Sequence, residues 1–460
     1  MPVVPIIKVQ PVEDETVEQL KAIFHQHYKG CQIDIDNIRD FDHTGFNSEL
    51  KLVDVIIKEN GRQTKVPALI KTTERKRMKK LLCCLTRYMM REVIFYTQIL
   101  PTLIRCSLDD KEKLMLQELA PRCYFGFSNQ ITTKFKRTMC ETLCCWPLWF
   151  LSRKPEVGII LLEDLTKRAG QIVAGLDKNQ LMDFDHINTA LTTLAHFHGS
   201  TWRWIERQKM GGEKLGNIKD ISLEEMQELH KDTWFLGFCF QQIFRLMRTM
   251  LKKFLENRKE GQAIICKLDN FMKSEIFGIM QGIWTNCMPS KFDTIVHGDF
   301  WCANILYKYD KDQNPEKAIL VDYQQIDLGN PCRDICSLIY SSTDSSFRTK
   351  HMDSLLKNYF TIFQDYFGSF YFMSSCSYEE FYKVYADHRK FGFAWGLYMV
   401  CIVLCPEVKI GWEGDISIRD ILVRRFELIA SVEENVPKNF IEIRKRLLDL
   451  IKEARAHGVI

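Results

Sequence analysis

Two segments most constrain what this chain can fold into: VHGDFWCANILY, Val296 to Tyr307, and ILVDYQQIDLGNPCRDI, Ile319 to Ile335. Within them, TIVHGD (Thr294–Asp299), NILYK (Asn304–Lys308) and AILVDY (Ala318–Tyr323) are short runs rich in β-branched and aromatic residues, and they read as strands. A strand–turn–strand between Asp299 and Asp322 turns the chain back on itself. It brings two acids that stand 23 residues apart to one edge of a cleft. A lone Asp at a strand end is usually a cap or turn residue. The joint pattern is more specific: His-Gly-Asp, Asn five residues after the Asp, then Asp-Tyr-Gln after a second apolar strand.

The rest of the chain divides by periodicity. Residues 15–30 read as a helix with Leu20, Ile23 and Phe24 on one face. LKLVDVIIK (Leu50–Lys58), Asn60-Gly61 and VPALIK (Val66–Lys71) form a hairpin signal. A helix over Thr86–Leu100 carries Glu92, and KLMLQEL (Lys113–Leu119) and VGIILLEDL (Val157–Leu165) read as further strands. The first 165 or so residues are thus expected to form a small sheet with one helix packed on it. Long helices are expected at Lys178–Ile205, Leu223–Asn257 and Gln262–Trp284, and again from Arg333 onward. The fold class is α+β, with a small β-rich lobe over 1–163 and a large, mostly helical lobe over 164–460.

Composition narrows the function by exclusion. The net charge of +4 is nearly balanced, without a basic run interleaved with aromatics, so nucleic acid is not an expected partner. The 17 cysteines are odd in number and sit in apolar stretches such as Cys83-Cys84 and Cys144-Cys145, so they read as reduced thiols. The first 15 residues lack the pattern of a secretory signal, and a cytoplasmic location is expected. Cys332 and Cys336 could share a helix face, but nothing else supports a metal there. LCCWPLWFL (Leu143–Leu151) is too short to span a bilayer and is interrupted by Pro147. It reads as a buried insertion, with a peripheral membrane contact as the alternative, because its flanks are basic.

Phosphoryl transfer needs a carboxylate to accept or orient the proton of the attacking hydroxyl, and oxygen ligands to hold Mg²⁺ against nucleotide phosphates. Asp299 and Asn304 reproduce the Asp-x-x-x-x-Asn spacing of a kinase catalytic loop, with His297 two residues before the Asp. Asp322 stands where a metal-holding Asp belongs, and Asn304 would share that metal. His297 reads as a brace for the loop.

HGDFWCAN, LVDYQQ, LLEDL, LAHFHGSTW, and VPALIKTT with REVIFYTQILP resemble the ecdysteroid-kinase-like (CHK kinase-like) family, relatives of choline kinases and aminoglycoside phosphotransferases. The resemblance runs from residue 45 to about 345 and implies a protein-kinase-like two-lobe fold using ATP and Mg²⁺. It makes Lys71 the strand lysine that meets the nucleotide phosphates, with Lys58 as its rival, and Glu92 the helix glutamate paired with that lysine. DHTGFNSELK would cover the nucleotide; its single glycine, Gly45, leaves the phosphates to fewer backbone contacts and to the Ser48 hydroxyl or amide. Glu163 to Leu165 would be the hinge that meets adenine, and Asp334 a buried acid that orients the catalytic loop.

Only 11 residues separate Asp322 from Asp334, too few for the long segment on which a protein kinase docks a polypeptide, so the acceptor is expected to be a small hydroxylated molecule. The family name suggests a lipophilic one; a choline- or aminoglycoside-like acceptor is the alternative. Trp234, Phe235, Phe238, Phe240 and Phe244 read as core or as pocket lining, and His196 and His198 as packed helix residues. An inactive binding module would be expected to lack the catalytic Asp, the metal Asp or the strand Lys, and all three are present.

Overall fold

A computed structural model describes residues 16–40, 48–59, 61–73, 87–129, 157–167, 171–210, 223, 225–227, 234–256, 258, 261–276, 290–368, 376–405, 427–430 and 438–460. Gly45 and Leu143–Leu151 lie outside these residues, as do the side chains of Trp234, Phe235, Phe238 and Phe240.

The fold mixes helices with antiparallel sheet. Helix α1 (Thr16–His27) buries Leu20, Ile23 and Phe24, the i, i+3, i+4 stripe of its sequence. Strands β1 (Gln32–Asp40), β2 (Ser48–Glu59) and β3 (Arg62–Thr73) follow. The Asn-Gly signal closes β2 onto β3: Glu59 pairs with Arg62, and Gly61 takes the left-handed conformation such a turn needs, with φ +77°. Alternation then sorts the side chains. Val53, Val55, Ile57, Ala68 and Ile70 pack with the α1 stripe, while Leu69 packs on the opposite side into a second, larger core. Lys71 has the parity of Leu69.

Beyond the hairpin come α2 (Tyr88–Ile94), a π-helical turn (Phe95–Ile99) and α3 (Leu100–Arg105). The Lys113–Leu119 strand expectation fails. Those residues lie largely in helix α4 (Asp110–Gln117), capped by Asp109, whose carboxylate accepts the Glu112 amide at 2.7 Å. Glu112 and Leu116 are buried one turn apart and Leu114 is exposed, a helical spacing that the apolar content of KLMLQEL conceals. The strand forms instead at β4 (Cys123–Ser128), which pairs with β5 (Gly158–Glu163) and completes a sheet of order β1-β2-β3-β5-β4. This sheet carries more than the single helix expected: α1 packs with one set of its side chains, and Met89, Met90 and Val93 of α2 share the larger core with Ile160 and Leu162 of β5.

After β6 (Ile172–Gly175), whose Val173 packs in a separate small cluster, that larger core continues through α5 (Phe184–Lys209), α6 (Trp234–Leu255) and α7 (Gly261–Asn270). Phe244 is buried in it. Strands β7 (Thr294–Val296), β8 (Ile305–Tyr309), β9 (Pro315–Leu320) and β10 (Asp327–Gly329) form two small antiparallel sheets, β6-β8-β9 and β10-β7. Helices α8 (Cys332–Ser342), α9 (Ser345–Gln364), α10 (Tyr378–Tyr398) and α11 (Lys438–Ala456) follow. Cys332 and Cys336 are both buried on α8, where burial pushes their thiols far above the ordinary range. Among the described residues no helix is long and apolar enough to cross a membrane.

Candidate active site

The site is assembled where β3, α2 and the β7–β10 region meet. Lys71, 7 % exposed, places its Nζ 2.6 Å from Glu92 Oε2 of α2 and 2.5 Å from Asp322 Oδ1 just past β9. Lys58, its sequence rival, instead pairs with Asp34 at 2.7 Å on an exposed part of the sheet. Burial works against the Lys71 charge, but Asp322 and then Glu92 outweigh it and hold the ammonium above its ordinary value. Burial pushes the Glu92 carboxyl up to about 7, with Lys71 opposing and Asp322 adding to the shift.

Asp322 is one of few non-glycine residues with a left-handed backbone, at φ 65° and ψ 59°. Asp tolerates this region better than most residues, at a cost of about 1 kcal/mol. Its carboxylate is held from two sides, by Lys71 and by Gln324, whose Nε2 donates to Oδ2 at 3.1 Å.

Asp299 enters through the β7 end. Ile305 pairs with Leu320 and the Val321 amide donates to the Asn304 carbonyl at 3.0 Å, so the β8–β9 hairpin sets Asn304 beside the approach to Asp322. Asn304 in turn donates its Nδ2 to the Asp299 carbonyl at 2.8 Å and to Asp299 Oδ2 at 3.1 Å. Burial, and next the charge of Asp322, push the Asp299 carboxyl up to about 7 against the Asn304 hydrogen bond.

The loop carrying Asp299 is clamped from below. Asp334, fully buried on α8, accepts the His297 amide at 2.6 Å and the Gly298 amide at 2.9 Å. It also accepts from His198 Nε2 at 3.1 Å, while the Tyr359 hydroxyl supplies His198 Nδ1 at 2.7 Å. Burial disfavours the Asp334 charge, but the His198 hydrogen bond and nearby Arg333 hold its carboxyl below the usual range. His297 Nε2 lies 3.0 Å from the Val321 carbonyl. A carbonyl only accepts, so Nε2 carries the proton and Nδ1 is left to accept the Asp299 amide at 3.4 Å. Burial lowers the His297 pKa and keeps the ring neutral.

Other sequence-derived candidates are placed further out. Ser48 is buried opposite Thr73 at the β2–β3 end. Glu163 closes β5, and its amide donates to the Arg122 carbonyl at 2.9 Å, while the Asp164 amide donates to Pro67 at 3.2 Å. Leu165 is buried with Val173 and Ile319. His196 packs against Tyr366, its Nδ1 2.9 Å from the hydroxyl.

Sequence reasoning missed Arg91 and Asp327. Arg91 Nη1 donates to the Ile326 carbonyl at 2.6 Å, behind the Asp322 segment. No spacing rule links an arginine to an acid 236 residues later.

A strand lysine held between a helix carboxylate and a loop carboxylate, with a second acid tied to an Asn five residues on, defines a kinase-like protein. The chain belongs to the ecdysteroid kinase-like family, whose model matches residues 43–370, more than two thirds of its length and every site residue named above. A search of curated proteins found no match.

Proposed function

We propose that this protein is an ATP- and Mg²⁺-dependent phosphotransferase that acts on a hydroxyl group of a small molecule. In this reading residues 1–163 form a nucleotide-binding lobe and 164–460 a catalytic and acceptor-binding lobe. The observation that carries it is Lys71, which sits between Glu92 and Asp322 beside the loop that ties Asp299 to Asn304.

The donor set fits the cofactor. Glu92 and Asp322 share the Lys71 ammonium, the Asp322 charge also reaches Asp299, and the Glu92 and Asp299 carboxyls are both pushed toward neutrality. That is the deficit a divalent cation relieves. Asn304 spends its Nδ2 on Asp299, which leaves its Oδ1 and the Asp322 carboxylate as hard oxygen donors. Among the described residues no three His, Cys, Asp or Glu side chains form a metal cage. Mg²⁺ held by one or two protein oxygens, phosphates and water needs none.

Bound Mg-ATP supplies the transferable phosphoryl group and the cation that screens its charge. With Mg-ATP bound, Lys71, fixed by Glu92, would meet the phosphates, and Asp322 and Asn304 would hold the cation. Backbone groups of Glu163 to Leu165 would form the hinge that meets adenine. Asp299 accepts the acceptor's hydroxyl proton. Burial in the free chain raises this carboxyl above the ordinary Asp range, which makes it a stronger base than an exposed Asp.

Thermal unfolding with ATP, with and without Mg²⁺, tests the reading. Ligand at 100 times its dissociation constant adds about 2.7 kcal/mol of stability. A Mg²⁺-dependent upward shift that Asp322→Asn abolishes is expected. A folded wild type unmoved by millimolar Mg-ATP refutes the proposal.

A further inference from the structure

Arg91 and Glu92 are neighbours on α2, so their side chains leave the helix about 100° apart. One reaches β3: Glu92 meets Lys71 at 2.6 Å. The other reaches the start of β10, where Arg91 Nη1 donates to the Ile326 carbonyl at 2.6 Å and lies 3.9 Å from Asp327 Oδ1. Asp327 has Arg333 on its other side, Nη1 to Oδ2 at 3.9 Å. All three are deeply buried, at 2 %, 1 % and 4 % exposure for Arg91, Asp327 and Arg333.

Where these contacts fall in the chain matters more than their number. Ile326 and Asp327 lie four and five residues after Asp322, and β10 pairs Asp327 with Val296, the residue before His297. Arg333 precedes Asp334, the acid that clamps the His297 and Gly298 amides. One guanidinium on α2 therefore touches the segment that joins Asp322 to the support of Asp299. A helix held at one azimuth can still roll about that contact. A helix held at a second azimuth as well, about 100° away, is restrained from rolling.

We propose that Arg91 is a positioning residue: it locks α2 to the Ile326–Asp327 segment and so fixes the face on which Glu92 meets Lys71. The proposal deepens the phosphotransferase reading and rests on it for its catalytic consequence alone. It makes α2 a fixed element of the site, and an arginine, whose rigid guanidinium fork is always charged and carries five donors, suits that task better than a flexible lysine.

The test replaces Arg91→Met together with Asp327→Asn in the full chain, which removes one charge of each sign from the buried cluster. Hydrogen exchange of the 88–94 amides is expected to rise at least about 10-fold, with exchange in α5 and α8 unchanged. Mg-ATP affinity is expected to fall about 10-fold, because Lys71 is no longer held. Unchanged exchange in 88–94, or faster exchange with unchanged Mg-ATP affinity, overturns the proposal. Should the double variant not fold, Arg91→Lys, which keeps the charge and loses the fork, is read by the same two outcomes. A wild-type chain that binds no Mg-ATP refutes the phosphotransferase reading, and exchange in 88–94 then decides the role of Arg91.

Discussion

At Asp299 burial and function pull in opposite directions. Its carboxyl titrates near 7 in the folded chain and near 4 in an unfolded one. Between those values the folded state holds a proton that the unfolded state has released, so stability falls as pH rises from about 4 to 7. Asp299→Asn removes this penalty along with the proton acceptor. The variant is expected to lose phosphoryl transfer, yet to be more stable than wild type at pH 8 by roughly 1–2 kcal/mol, a figure discounted because the side chain keeps some solvent contact. At pH 4 the two should melt together. A variant less stable than wild type at pH 8 would contradict the burial account. Tyr323, the next residue after Asp322, gives a second case. Its ring stacks on Phe95 with centroids 3.4 Å apart, and its buried hydroxyl has no hydrogen-bond partner among the described residues. Tyr323→Phe is expected to leave the midpoint of denaturation unchanged or raise it by up to about 1 kcal/mol, because it removes an unsatisfied polar group. A loss of stability would show that the hydroxyl does have a partner.

Among the elements, the two loops that carry Asp299 and Asp322 are in backbone contact. Gly298 has φ +81°, and a Cβ there would stand 2.0 Å from the Gln325 carbonyl oxygen. Neither side of that contact can give way. One is backbone, and the other is pinned by Asp334 through the His297 and Gly298 amides. Gly298→Ala is expected to destabilise by more than about 2 kcal/mol, read from chemical denaturation, through left-handed strain and the clash together. A near-wild-type midpoint would mean that the loops separate more easily than this packing implies. The same contact explains why HGD and DYQQ are matched to each other: the glycine of one makes room for the carbonyl of the other.

For the whole molecule, pH dependence follows from acids shifted in opposite senses. Asp334 has a lowered folded pKa, so its contribution is present above about 4 and lost as pH falls through the lower folded value. Asp299 and Glu92 have raised values near 7, so their contribution is complete below about 4 and lost as pH rises to 7. Asp299 and Glu92 pull the stability maximum of the free chain toward lower pH, and Asp334 opposes them. Mg-ATP, which favours the ionised site, is expected to move that maximum upward. Melting temperatures from pH 4 to 8, with and without Mg-ATP, check this, and a maximum that stays in place with ligand bound would count against the site.

Much of this site was legible because its spacing is local. The interval from Asp299 to Asn304, the strand–turn–strand to Asp322 and the Asn-Gly hairpin ending at Lys71 each follow from short-range chain geometry and periodicity. Where apolar content was ambiguous, sequence failed: Lys113–Leu119 reads as a strand but belongs to a helix, because an Asp109 cap and burial of Glu112 and Leu116 one turn apart override the alternation. The resemblance favours Lys71 over Lys58, and the fold places Lys71 on Asp322, 251 residues away, while Lys58 finds Asp34. Tertiary structure alone revealed Arg91 behind the Asp322 segment. The sequence by itself determined which chemical groups are available and how neighbouring ones are spaced. Which distant faces meet is settled by packing, because burying one face of β3 on α1 leaves Lys71 on the side that faces α2 and Asp322, where a buried charge is stable only beside its partners.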